Sequence, residues 1–233
     1  KKMKAFKKSA TQATPFQFKK LSGIPDMDIR FSPHSKEVAT IFFDLISNKI
    51  LDAQSDVLFA VMDDKSKSSI LDALHKQVSS DKVFTYGITD VIADKVSGIM
   101  LYKPNSKRGL LVAGRPGEYI LPEPFIAESK IPGISVHHKF VIVDFKGKTP
   151  VFYSGSSNLA FGPEQNNGDN LLEIRDRGAV IAFAIEAMRL VDHFEWRNAL
   201  HIKGTQKPVA ASAETPEKIF YLNGSSASDW VEK

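Results

Sequence analysis

The chain contains no cysteine, so neither a disulfide framework nor a cysteine-ligated zinc site is open to it. It has no apolar run near the length of a membrane span. The opening stretch KKMKAFKKSATQATPFQFKK lacks the apolar core of a secretory signal. The last two absences set a cytoplasmic location as the expectation, while the lack of cysteine does not fix the compartment. Acid is also missing from residues 1–20, which hold seven lysines. Taking seven from the 31 basic residues leaves 24 against 27 acidic ones, a formal charge of −3. The net charge of +4 therefore resides in the first segment, and the body is mildly acidic. A basic arm can follow phosphates. A solvated linker is the commoner use of such a run, and residues 1–23 are read as a basic linker or arm.

What remains has the balance of an ordinary globular domain, 42% hydrophobic and 25% charged. Ser32-Pro33 reads as a helix start, with Val38, Ile41, Phe42, Leu45 and Ile46 at helical spacing as far as Leu51. Asp56 to Met62 is an apolar run, read as a buried strand. Lys67 to Ser79 returns to helical spacing, and Lys82 to Ile88 reads as a second strand. Gly98 to Tyr102 and Gly109 to Val112 are further strand candidates. Residues 114–133, GRPGEYILPEPFIAESKIPG, read as loop. Ser135 to Phe145 and Thr149 to Ser154 form a hairpin around Lys146-Gly147-Lys148. Gly178 to Leu200 is a long helix with Ile181, Ile185, Met188, Val191 and Phe194 on one face. KIFYLNG, at 218–224, is a candidate short strand. The expectation is an α/β fold, a mixed β-sheet flanked by helices. One domain spans 24–201, and 202–233 extends it.

The chemistry gathers in VHHKFVIVDFKGKTPVFYSGSSNLAFGPEQNNGDNLLEI. His137 and Lys139 are two apart, so a strand points both to one face. A titratable imidazole beside a fixed cation suits an anionic substrate. His138 points the other way and reads as packing. Gly155 allows close backbone approach, and Ser156 and Asn158 supply hydrogen-bond donors. Across the hairpin these groups converge on a phosphate from the side opposite Lys139. A metal site is not expected, because Lys139 would repel the ion.

His137-x-Lys139, four residues, Asp144, then Gly155-Ser156-x-Asn158, resembles the HKD signature of the phospholipase D superfamily. The resemblance runs from about Phe31 to Leu200, most like the C-terminal half of a bacterial two-motif member. Ten residues separate Asp144 from Gly155 where the family usually has six, and the hairpin tip takes up the difference.

The resemblance implies a phospholipase D-like fold and a metal-independent phosphodiester hydrolase without cofactor. His137 would be the nucleophile forming a phosphohistidine, or else the general acid. Lys139, Ser156 and Asn158 would bind the phosphate. Asp144 would be more a structural and electrostatic partner than a proton carrier. Glu173, in what reads as a strand, would be the downstream acid that orients the imidazole, with Asp169 as the competing candidate. A nuclease is the leading expectation. The alternatives are a phospholipase D acting on phospholipid headgroups and a non-catalytic phosphate- or partner-binding module.

The family builds its site from two HKD motifs, and this sequence has one. His34-Ser35-Lys36 matches the first half of the motif without the acid, and His34 is read as a surface residue. The partner motif would come from a homodimer or from a missing N-terminal half.

Overall fold

The computed structural model describes residues 14–63, 65–80, 82–93, 96–104, 109–113 and 136–205. The loop expected at 114–133 and the strand expected at 218–224 lie outside them. The first strands are β1 (Phe16–Phe18) and β2 (Met27–Phe31). Helix α1 (Lys36–Leu51), β3 (Asp56–Val61), α2 (Ser69–Val78) and β4 (Phe84–Ala93) follow. Next come β5 (Val96–Tyr102), β6 (Leu110–Ala113), β7 (Lys139–Val143) and β8 (Val151–Gly155). The described chain ends with α3 (Phe161–Asn166), β9 (Asn170–Ile174) and α4 (Arg177–Thr205). None of the helices among the described residues is long and apolar enough to cross a membrane.

The expected mixed sheet is present, with nine strands in the order β1-β2-β9-β8-β7-β3-β4-β5-β6. Among the described residues only β3 and β4 pair in parallel, and α2 makes the crossover between them. Strand β3 is central, and all six of its residues are buried. Five of the six are apolar, and a strand buried in this way needs cover on both faces. On one face α1 and α2 press Phe43, Ile46, Ile50 and Leu74 onto Val57, Phe59, Val141 and Val143. On the other, α4 sets Val180, Ala184, Ala187 and Val191 over Leu58, Ala60, Phe140 and Ile142. Each large side chain buried in this way contributes on the order of 2 kcal/mol. The result is a three-layer sandwich with β7 near its middle.

Several local expectations need correction. Helix α1 starts one turn later than expected: its N-cap is Ser35, whose Oγ accepts from Val38 N at 3.3 Å. Ser32 instead holds the start of β9, donating to Asn167 O and accepting from Asp169 N, both at 2.8 Å. The sheet begins at Phe16, inside the stretch expected to be an arm. His34 is not a surface residue. It is 3% exposed, and its Nδ1 lies 2.6 Å from Oε1 of the equally buried Glu164.

Candidate functional site

Strand order puts the chemistry at one edge of the sheet. Lys139 opens β7 opposite Val61, the last residue of β3. Gly155 closes β8, and Asn170 opens β9. All four strand ends meet on one rim, where chain direction changes and side chains are free of the ladder.

His137 is exposed on this rim, and Lys139 is half-buried beside it. Lys139 Nζ lies 3.1 Å from His137 Nε2 and donates to His137 O at 2.9 Å. An ammonium has no lone pair to offer, so this contact is a hydrogen bond in the tautomer that carries its proton on Nδ1. Burial pulls the Lys139 pKa below its ordinary value, and the Asp169 carboxylate opposes that pull. His138 turns to the α4 face, edge-on to Phe140 with ring centroids 6.2 Å apart. Desolvation there lowers its pKa, with Lys139 and His137 adding to the effect and Glu186 opposing it.

The loop after β8 is laced to β9. Asn170 Oδ1 accepts from Ser156 N at 3.0 Å, and Ser156 Oγ accepts from Asn170 N at 3.0 Å. The Ser156 hydroxyl proton therefore remains free to donate outward. Asn158 Oδ1 is buried with no hydrogen-bond partner, so this amide oxygen is not committed to the scaffold. Gly155 sits at φ +142°, and a Cβ there would lie 2.3 Å from Asn170 O. Only glycine fits that approach. Beneath the loop, Glu164 accepts from Ser157 Oγ at 3.2 Å while holding His34. This buried pair pins the loop after β8 to the chain between β2 and α1. Sequence reasoning misses it, since the two residues lie 130 positions apart.

Two expected site residues are elsewhere. Asp144 follows the far end of β7, about 16 Å from Lys139 at the rise of a strand. Its Oδ1 accepts from Gln54 N at 2.8 Å and Ser55 N at 2.9 Å, while the Ser55 hydroxyl gives its one proton to Asp56 Oδ2 at 2.6 Å. The fully buried Asp56 reciprocates, accepting from Phe145 N at 2.8 Å and Lys146 N at 3.3 Å. These carboxylates clasp β3 to the β7 turn, so the structural part of the Asp144 expectation fits its position and the catalytic part does not. Glu173 stands opposite Tyr153, itself opposite Val141. That register puts it two strands and two residues from Lys139, about 12 Å away. It pairs with Arg175 at 3.1 Å. Asp169 is the acid near the rim: its backbone is held by Ser32, and its Oδ2 is buried without a partner. Among the described residues no three His, Asp or Glu side chains are grouped to hold a metal ion.

Two solved structures are similar to this chain. NucT from Helicobacter pylori matches at 15% identity and a TM-score of 0.44, over 71% of this chain and 95% of that one. A phospholipase D family member, Nuc from Salmonella typhimurium, matches at 17% identity and a TM-score of 0.38, over 71% and 93%. No family model matches the sequence, and no curated protein matches it.

Proposed function

We propose that the chain is a nuclease-type phosphodiesterase working through a covalent phosphohistidine on His137, with no metal. The observation that carries this reading is the 3.1 Å approach of Lys139 Nζ to an exposed imidazole nitrogen, on the rim that also holds Ser156 and Asn158. In the reaction, Nε2 attacks phosphorus as the bond to the leaving oxygen breaks. Lys139 moves its hydrogen bonds to the phosphoryl oxygens, joined by Ser156 and Asn158. A second, protonated His137 from another copy of the chain gives its proton to the leaving oxygen. Water then attacks the phosphohistidine, loses a proton to that second histidine and frees Nε2. The chain holds one such motif, so the reading requires two copies or a partner that supplies the second histidine.

Asp169 is the better candidate for orienting Nδ1–H, having a free buried oxygen where Glu173 is engaged by Arg175. Nucleic acid is favoured as substrate by an open groove of about 820 Å³ beyond β3. Lys36, Lys65 and Lys67 line it, with Asp44 and Asp72 among them. Lysines spaced along a groove at the rim suit a repeating phosphate backbone.

The test is hydrolysis of bis(p-nitrophenyl) phosphate in EDTA. The full chain should turn it over, and His137→Ala should abolish turnover. Asp169→Asn should lower kcat far more than Glu173→Gln does. Full activity in His137→Ala, or complete dependence on added metal, would sink the reading.

A further inference from the structure

On the same face of the sheet as Lys139, a groove of about 550 Å³ runs beneath α1 across β8, β9 and β2, from Arg30, three strands from Lys139 in the same register row, to the turn between β7 and β8. Four cations line it: Arg30, Lys49, Lys148 and Arg175. Arg175 is already committed, with 2.8 Å to Asp28 Oδ2 and 3.1 Å to Glu173 Oε1. Arg175 thus answers Glu173 and one oxygen of Asp28, whose Oδ1 stays buried without a partner. Lys49 and Lys148 make no ion pair among the described residues.

Arg30 is the unusual member. Its guanidinium lies over the Phe42 ring, 5.2 Å from the centroid, and its Nε is buried without a hydrogen-bond partner. Burial depresses its pKa, against the pull of Glu173 and Asp28. A desolvated guanidinium with an unmet donor is costly unless something accepts from it. The protein supplies a stacking face and leaves that donor unused.

We propose that this groove is a second anion site, separate from the His137 rim, that takes the phosphate group of a ligand about the size of a mononucleotide. Arg30 forms the floor and contacts the phosphate as a fork. Lys49 from α1 and Lys148 from the hairpin tip add point charges along the same groove, with the Thr149 hydroxyl nearby. Leu45 and Ile46 offer apolar wall for the rest of the ligand. The volume falls within the range of small-molecule sites. Phe42 packs between this groove and the His34–Glu164 pair, its ring 5.2 Å from that of His34. The site stands on its own charges and does not depend on the rim being catalytic.

The experiment titrates inorganic pyrophosphate and adenosine monophosphate into the full chain at low ionic strength, followed by calorimetry. Lys139→Ala removes the phosphate contact of the rim and should leave one binding event intact. The double variant Lys49→Glu/Lys148→Glu, at the mouth of the groove, should weaken that event at least tenfold. Arg30→Gln should do the same. If Arg30→Gln fails to fold, the lysine variant alone decides, because neither of its residues is buried. A 5′-phosphorylated oligonucleotide forms the second arm. Binding of the monophosphate identifies a free nucleotide as the ligand, and binding of the oligonucleotide alone identifies a strand end. Loss of all binding in Lys139→Ala, or unchanged binding in the lysine variant, would overturn the proposal. Hydrolysis of bis(p-nitrophenyl) phosphate measures the rim independently of either result.

Discussion

Replacing Asp144 with alanine should unfold the protein more readily while leaving the chemistry of the folded fraction intact. Asp144 Oδ1 receives two backbone N–H groups at 2.8 and 2.9 Å, while the nearby Ser55 hydroxyl gives its proton to Asp56 Oδ2 at 2.6 Å. Hydrogen bonds to a charged acceptor are worth about 1.5–3 kcal/mol each, and less where water can reach the orphaned donors. Gln54 and Ser55 are only partly buried from water, so about 2–4 kcal/mol is the expected loss. That is a large share of the stability of a typical domain. With a urea m-value of about 2 kcal/mol/M, the midpoint should fall by about 1–2 M. Asp144→Asn keeps a carbonyl acceptor and tolerates the φ of +57° at this position, so it should lose less. The assay is urea unfolding followed by circular dichroism, paired with kcat measured well below the transition. A variant with an unchanged midpoint but hundredfold lower kcat would refute the reasoning and return Asp144 to the catalytic site.

Gly155→Ala forces a Cβ to within 2.3 Å of Asn170 O at a φ of +142°. It should cost at least about 2–4 kcal/mol and depress kcat by shifting Ser156; an unaltered thermal midpoint would count against the described loop. His138 has its pKa lowered from 6.5 by burial, so the unfolded chain takes up that proton first. Its contribution to stability is whole above about pH 6.5 and is lost as pH falls through the depressed folded value. The thermal midpoint of the parent protein should therefore drop more steeply from pH 7 to pH 5 than that of His138→Phe, and parallel curves would contradict this.

The rim is legible in the sequence where its chemistry is local. His137 and Lys139 share a face by strand alternation alone, and Gly155 announces a close approach. Strand β3, apolar but for Asp56, is equally plain, while the α4 face is misread in part: Ile181 and Ile185 are 41% and 51% exposed, and Val180, Ala184 and Ala187 pack on the sheet instead. What stays hidden depends on register. Glu173 and Asp169 differ in sequence by only four positions, yet the ladder carries Glu173 away from the rim toward Arg175. Asp144 reads as part of a chemical triplet because its partners, Gln54 and Ser55, lie about ninety residues upstream. His34 reads as solvated because nothing nearby in sequence can satisfy it, while Glu164 does so from α3. Strand β2 gives no sequence signal since MDIRF is short and charged, and it is shaped by its pairing with β9.

The most direct test of the central claim is rapid quenching of the reaction with a labelled phosphodiester, followed by mass spectrometry of the trapped adduct. The mechanism requires an acid-labile, base-stable phosphoryl group on His137, absent in His137→Ala. An adduct on another residue, or steady turnover by His137→Ala, would contradict it.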